Sequence, residues 1–153
     1  SSRLNVANAG IYDIQFSIQF KNTTNDTQDV DVWFRKNGTN IDKSNSRFGL
    51  QARKSSGDPS HSIAALNFFV ELAASDYVEI MWRPSDTGVS IEHYPTSTTP
   101  TRPAVPSVIA TLSYVNTSSS FNVYVSARGK GTATLTHFAN STADKTFGYV
   151  IVG

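Results

Sequence analysis

From Gly10 to Phe20 the chain reads GIYDIQFSIQF, with apolar and polar side chains in alternation. Tyr12, Ile14, Phe16, Ile18 and Phe20 fall on one face, and Asp13, Gln15, Ser17 and Gln19 on the other. A period of two predicts a strand with one face in an apolar core. The other face must meet water or another chain. Further runs of this kind follow at short spacing. VDVWFRK (30–36) stops at Asn37-Gly38, a dipeptide that accepts positive φ and favours a tight hairpin. RFGLQAR (47–53) is a fainter strand. IAALNFFVEL (63–72) has the Ala and Leu content of a helix, but Leu66, Phe68, Val70 and Leu72 alternate with Asn67 and Glu71, which predicts a strand. DYVEIMW (76–82), GVSIEHY (88–94) and SVIATLSYV (107–115) complete the series. Polar loops are expected at 21–29, 54–60 and 95–106, the last with four prolines and so extended on the surface.

After Val115 the pattern changes. Asn116 to Ser120 reads as a polar hinge, followed by FNVYVSA, GTATLTHF and FGYVIVG, three more strands. Arg128-Gly129-Lys130-Gly131 would turn the first of these into the second. The organisation read from this is a head over residues 1–115 and a C-terminal β extension over 116–153. Such an extension is too short to bury a core alone, so it must pack on the head, on neighbouring subunits or on another protein. Many short strands punctuated by Gly, Pro and Asn predict an all-β sandwich or barrel. The pattern leaves jelly-roll and immunoglobulin-like topologies open.

The off-core positions carry the next clue. Trp33 shares its face with Asp31 and Arg35, and Phe69 shares its face with Asn67 and Glu71. On 76–82, large side chains stand on both faces: Tyr77 and Met81 against Val78, Ile80 and Trp82. A sheet covered on one side only shows a polar outer face. Aromatic residues there predict burial against a partner. Gln15, Trp33 and Phe69 are the expected self-association residues; the competing reading buries them within the chain.

Composition narrows the chemistry. Charged residues are 16% of the 153, against about 25% in an average soluble domain. The formal net charge is +1 and the Lys and Arg are scattered, which argues against nucleic acid. There is no cysteine, so disulfides and thiolate metal sites are excluded. No apolar stretch approaches the roughly 18 residues of a membrane span. No signal peptide is visible and the first residue is Ser, as expected of a processed protein or a piece of a longer one.

His61, His93 and His137 are far apart and form no metal-binding motif. Asp26, Asp29 and Asp31 lie near Asn25 without the spacing of a calcium loop, so calcium would at most be an accessory. G-x-S-x-G, S-x-x-K and Cys–His signatures are absent, as is a Gly-rich phosphate loop. Sequons begin at Asn22, Asn25, Asn37, Asn116 and Asn140, as chance allows in a chain rich in Asn, Ser and Thr. Binding without an enzymatic activity or cofactor is the expectation. Tyr94, near a loop end, would suit sugar stacking or shield the core.

Four ordered blocks resemble a known family. NAGIYDIQFSIQF resembles the opening strand of the globular head of the first complement component. VDVWFRKNG resembles that superfamily's next strand, ELAASDYVEIMW a later one, and PSVIATLSYV the closing strand of a phage variant. The wording is most similar to domains of bacteriophage virion proteins, over about residues 3–115. The resemblance implies a jelly-roll β-sandwich of the complement-head and tumour-necrosis-factor type, assembled as a homotrimer. It implies a non-enzymatic virion surface protein, the head of a tail fibre or spike that mediates host attachment. A capsid decoration or cement protein is one alternative; a carbohydrate-binding or adhesion module is another. Expected partners are its own copies, other virion proteins, and a host surface glycan or receptor, with no nucleic acid and no membrane insertion. Its place would be the virion surface, extracellular after release.

Overall fold

The computed structural model describes residues 2–116 and the backbone of two later strands, 123–129 and 132–137. The described chain is all-β and its strand pairs are antiparallel. It forms two compact units, Ser1–Ser118 and Ser119–Gly153.

In the first unit, two sheets close over one core. One sheet is built on β2 (Gly10–Asn22), flanked on one side by β6 (Ser60–Leu72) and on the other by β8 (Val89–Ile91) and β11 (Val108–Asn116). The other runs from β1 (Leu4–Asn5) through β7 (Tyr77–Pro84) to β3 (Gln28–Lys36), whose far side pairs with β4 (Thr39–Asn40) and β5 (Ser46–Leu50). The chain changes sheet between β1 and β2, β2 and β3, β5 and β6, β6 and β7, and β7 and β8.

The alternation of β2 emerges as expected: Tyr12, Ile14, Phe16, Ile18 and Phe20 are all buried. Opposite them stand Val30, Val32, Phe34, Leu50 and Val78 of the second sheet. The Phe16 and Phe34 rings meet edge to face at 5.8 Å, and Phe34 stacks on Phe68 at 5.2 Å. Such contacts between facing layers define a sandwich core. The segment 63–72 is strand and not helix, because every second side chain from Ala64 to Leu72 turns toward that core. Asn37 and Gly38 both take positive φ, 51° and 82°, and join β3 to β4 as the two-residue turn their chemistry favours.

Several boundaries differ from the sequence pattern. The loop after β2 shrinks to residues 23–27. The faint strand ends at Leu50, and GVSIEHY keeps three strand residues plus an isolated bridge from Tyr94 to Val105. The proline-rich loop contains a small hairpin, β9 (Ser97–Thr98) with β10 (Thr101–Arg102). The two-residue strands β1 and β4 are too short to leave a periodic trace.

In the second unit, β12 (Val123–Gly129) pairs with β13 (Thr132–His137); of the turn expected at 128–131, Arg128 and Gly129 are strand residues and 130–131 lie outside the described residues. The strand expected at 147–153 lies outside the described residues, as does the side chain of His137.

Candidate functional site

The two sheets present outer faces of opposite character. Directly paired residues on neighbouring antiparallel strands share a face. Across β6, β2 and β11 this rule sets Ala65, Ser17 and Ile109 in one row, and Asn67, Gln15 and Thr111 in the next. Ile63 pairs with Gln19 on one flank and Phe69 with Asp13 on the other. Ile63, Phe69 and Ile109 are 62%, 57% and 54% exposed. The central rows carry no charge; charge returns at the ends, with Lys21 and His61 at one and Asp13 and Glu71 at the other. Gln15 donates to Asp13 Oδ2 at 2.8 Å, while Asp13 Oδ1 is buried with no hydrogen-bond partner among the described residues.

The outer face of the other sheet is charged. Asp31 on β3 lies between Arg83 of β7 and Arg47 of β5. Arg47 donates to both Asp31 oxygens, at 2.9 and 3.1 Å. This hydrogen bonding, more than the charge of Arg83, holds the Asp31 carboxyl below its ordinary range. One position further along, Trp33 faces Met81 on β7. On its other side no strand is present, because β4 has ended and β5 has not begun; the 41–45 loop fills the gap. Buried Ser44 ties that loop down, its hydroxyl accepting from Phe34 N at 3.1 Å and donating to Ile41 O at 2.8 Å. Trp33 Nε1 donates to Asn40 Oδ1 at 2.8 Å, and Arg35 Nε to the same oxygen at 3.0 Å. The result is a groove of about 480 Å³ lined by Trp33, Asn40, Asp42, Lys43, Asn45 and Arg83. A smaller recess of about 290 Å³ adjoins it past Asp31 and Arg83.

Gln15 and Phe69 therefore share the outer face of the first sheet, and Trp33 stands on the opposite sheet in a different environment. Alternation along a strand shows which positions leave the core; it does not show which sheet the strand joins. That is why the three residues read alike in the sequence.

Three other features complete the inventory. Buried Glu92 uses both carboxylate oxygens: His61 Nδ1 lies 2.5 Å from one, and the Tyr94 hydroxyl donates to the other at 2.7 Å. This hydrogen bond, followed by burial, raises the Tyr94 phenol above its ordinary value. The Arg102 guanidinium lies 5.6 Å from the Tyr94 ring centre, so Tyr94 holds the proline-rich loop to the sheet. At the β11 edge, Leu4, Ile80, Trp82, Ile91, Val108 and Ala110 bound an apolar cleft of about 370 Å³. Tyr114, paired with Tyr12 on the inner face, is half exposed there because nothing described reaches across to cover it.

Among the described residues no group of three or more His, Cys, Asp or Glu could hold a metal ion, and no helix could cross a membrane. Both carboxylate oxygens of Asp31 accept from Arg47. The sequon at Asn22 is closed to modification in the folded chain: its amide is fully buried and donates to Asp26 O and Gln51 O, both at 2.9 Å. Asn140 and the side chain of Asn116 lie outside the described residues.

The architecture and these faces define an all-β, antiparallel protein with one sheet face uncharged in its central rows and one charged, grooved face. The chain matches no family model, no curated protein and no solved structure.

Proposed function

We propose that this chain is a non-enzymatic surface module of a bacteriophage virion, a jelly-roll head that assembles as a homotrimer and attaches to the host. The observation that carries this reading is the outer face of β6, β2 and β11. Interface centres are depleted in charge and rimmed by polar groups. That face has uncharged central rows, exposed Ile63, Phe69 and Ile109, and charge at its ends. Gln15 and Phe69 belong to this interface. The open cleft along β11 adds apolar surface that a sister copy would cover.

Support for the jelly roll comes from the chain's repeated change of sheet, the habit of double-sheet Greek-key folds. Support for the virion comes from the four ordered sequence blocks. Three identical weak sites reaching one cell surface gain avidity without new contacts. The test is electron microscopy of virions decorated with a gold-labelled antibody to this chain. Label at fibre tips or spikes is expected. Unlabelled virions would overturn the reading, and label spread evenly over the capsid would replace attachment with decoration.

A further inference from the structure

We propose that the groove at Trp33 is a saccharide-binding site that takes hexose units of a surface polysaccharide. The proposal rests on the attachment reading for its biological role and on the groove alone for its chemistry.

A sugar ring has an apolar face of C–H groups and a rim of hydroxyls that donate and accept at once. It is held by an aromatic surface flanked by donors and acceptors side by side. Trp33 supplies the aromatic surface, with Met81 beside it. Asp42 and Asn45 bring acceptors, and Arg83, Lys43 and the Asn40 amide bring donors, around the same groove. Its volume of about 480 Å³ lies within the roughly 300–1,000 Å³ of small-molecule sites.

Other ligand classes fit less well. A phosphate or polyanion needs uncompensated positive charge. Here Lys43, Arg47 and Arg83 face Asp29, Asp31 and Asp42, and Arg47 is already paired with Asp31. A strand-forming peptide needs a free sheet edge and a helix needs an apolar groove. The 41–45 loop caps the strand edge beside Trp33, and charged groups surround it. A second copy of the chain would have to bury Asp42, Lys43 and Arg83, which desolvation opposes.

The groove is also set before any ligand arrives. Ser44 fixes the 41–45 loop, Asn40 fixes the indole, and Arg47 fixes Asp31 with two bonds. Lys43 sits at a φ of 59°, a conformation the pinned loop imposes. Groups already ordered cost little further entropy on binding.

The full chain would be probed on a printed array of bacterial surface polysaccharides and titrated with free hexoses and N-acetylhexosamines. Trp33 fluorescence would be read in a Trp82→Phe background, where it is the remaining tryptophan. Wild type should bind at least one saccharide, with quenching or a shift of Trp33 emission. Trp33→Ala should weaken binding by about tenfold or more, equivalent to about 1.4 kcal/mol, and Trp33→Phe should retain most of it. Asp42→Ala and Arg83→Ala change exposed side chains and should weaken binding with the fold intact. No binding by wild type, or equal binding by Trp33→Ala, would overturn the proposal, as would binding confined to polyanions and abolished by salt. A protein that stays monomeric yet binds through Trp33 would overturn the trimeric head and leave the saccharide site standing. A trimer that binds no saccharide would do the reverse.

Discussion

Asn22 shows how much one side chain can carry. It ends β2 at full burial, donates to Asp26 O and Gln51 O, and accepts from Thr24 N and the Thr24 hydroxyl, both at 2.8 Å. Each buried group left without a partner costs about 1–3 kcal/mol. Asn22→Ala is expected to cost about 1–3 kcal/mol in chemical denaturation, since it removes four hydrogen bonds and leaves Thr24 N without its acceptor. Asp76 plays a similar part outside the core. Asn37 donates to one of its oxygens at 2.6 Å and Ala73 N to the other at 2.7 Å. These bonds, Asn37 first, hold its carboxyl below the ordinary value. The folded state thus binds its proton less readily than the unfolded chain does. The stabilisation is complete above the unfolded value of about 3.9 and drains away as pH falls through the lower, folded value. Asp76→Asn should therefore be less stable than wild type at pH 7, with the gap closing toward pH 2. A gap that stays constant in thermal melts across that range would contradict the assignment.

At the scale of elements, the turns and the close approaches decide the outcome. A Cβ on Gly88 would sit 2.5 Å from Thr24 Cγ2, where the turn before β8 meets the loop after β2. Thr24 cannot swing aside without giving up its bond to Asn22. Gly88→Ala should cost about 1–3 kcal/mol, the usual penalty of overpacking, and Thr24→Ser in the same chain should recover most of it. Denaturation of the two variants side by side reads the difference. The same scale shows what was legible in the sequence. β2 could be read because one sheet face lies in the core and the other does not, so its alternation is complete. The Asn-Gly hairpin could be read because few dipeptides accept two positive φ angles. β11 reads as a buried strand, yet it borders the sheet with Val108 and Tyr114 exposed; side-chain period cannot reveal how far the facing sheet extends.

At the scale of the whole first unit, charge separates two tasks. The face of β6, β2 and β11 has uncharged central rows, and the face around Trp33 is charged and grooved. Gln15, Trp33 and Phe69 are off-core positions in the sequence alike, but pairing register, a long-range property, puts Trp33 on the other sheet. We assign the first face to sister copies and the second to a ligand. Phe69→Asp places a carboxylate beside Asp13 on the first face and should dissociate the assembly while each subunit stays folded by circular dichroism. Ser17→Ala on the same face should change assembly little, because it removes neither apolar contact nor a charge.

Sedimentation equilibrium of the purified chain at micromolar concentration tests the central claim most directly. The account predicts a mass near three times the 16.7 kDa subunit, falling to one subunit in Phe69→Asp. A wild-type protein that sediments as a single subunit throughout that range would contradict it.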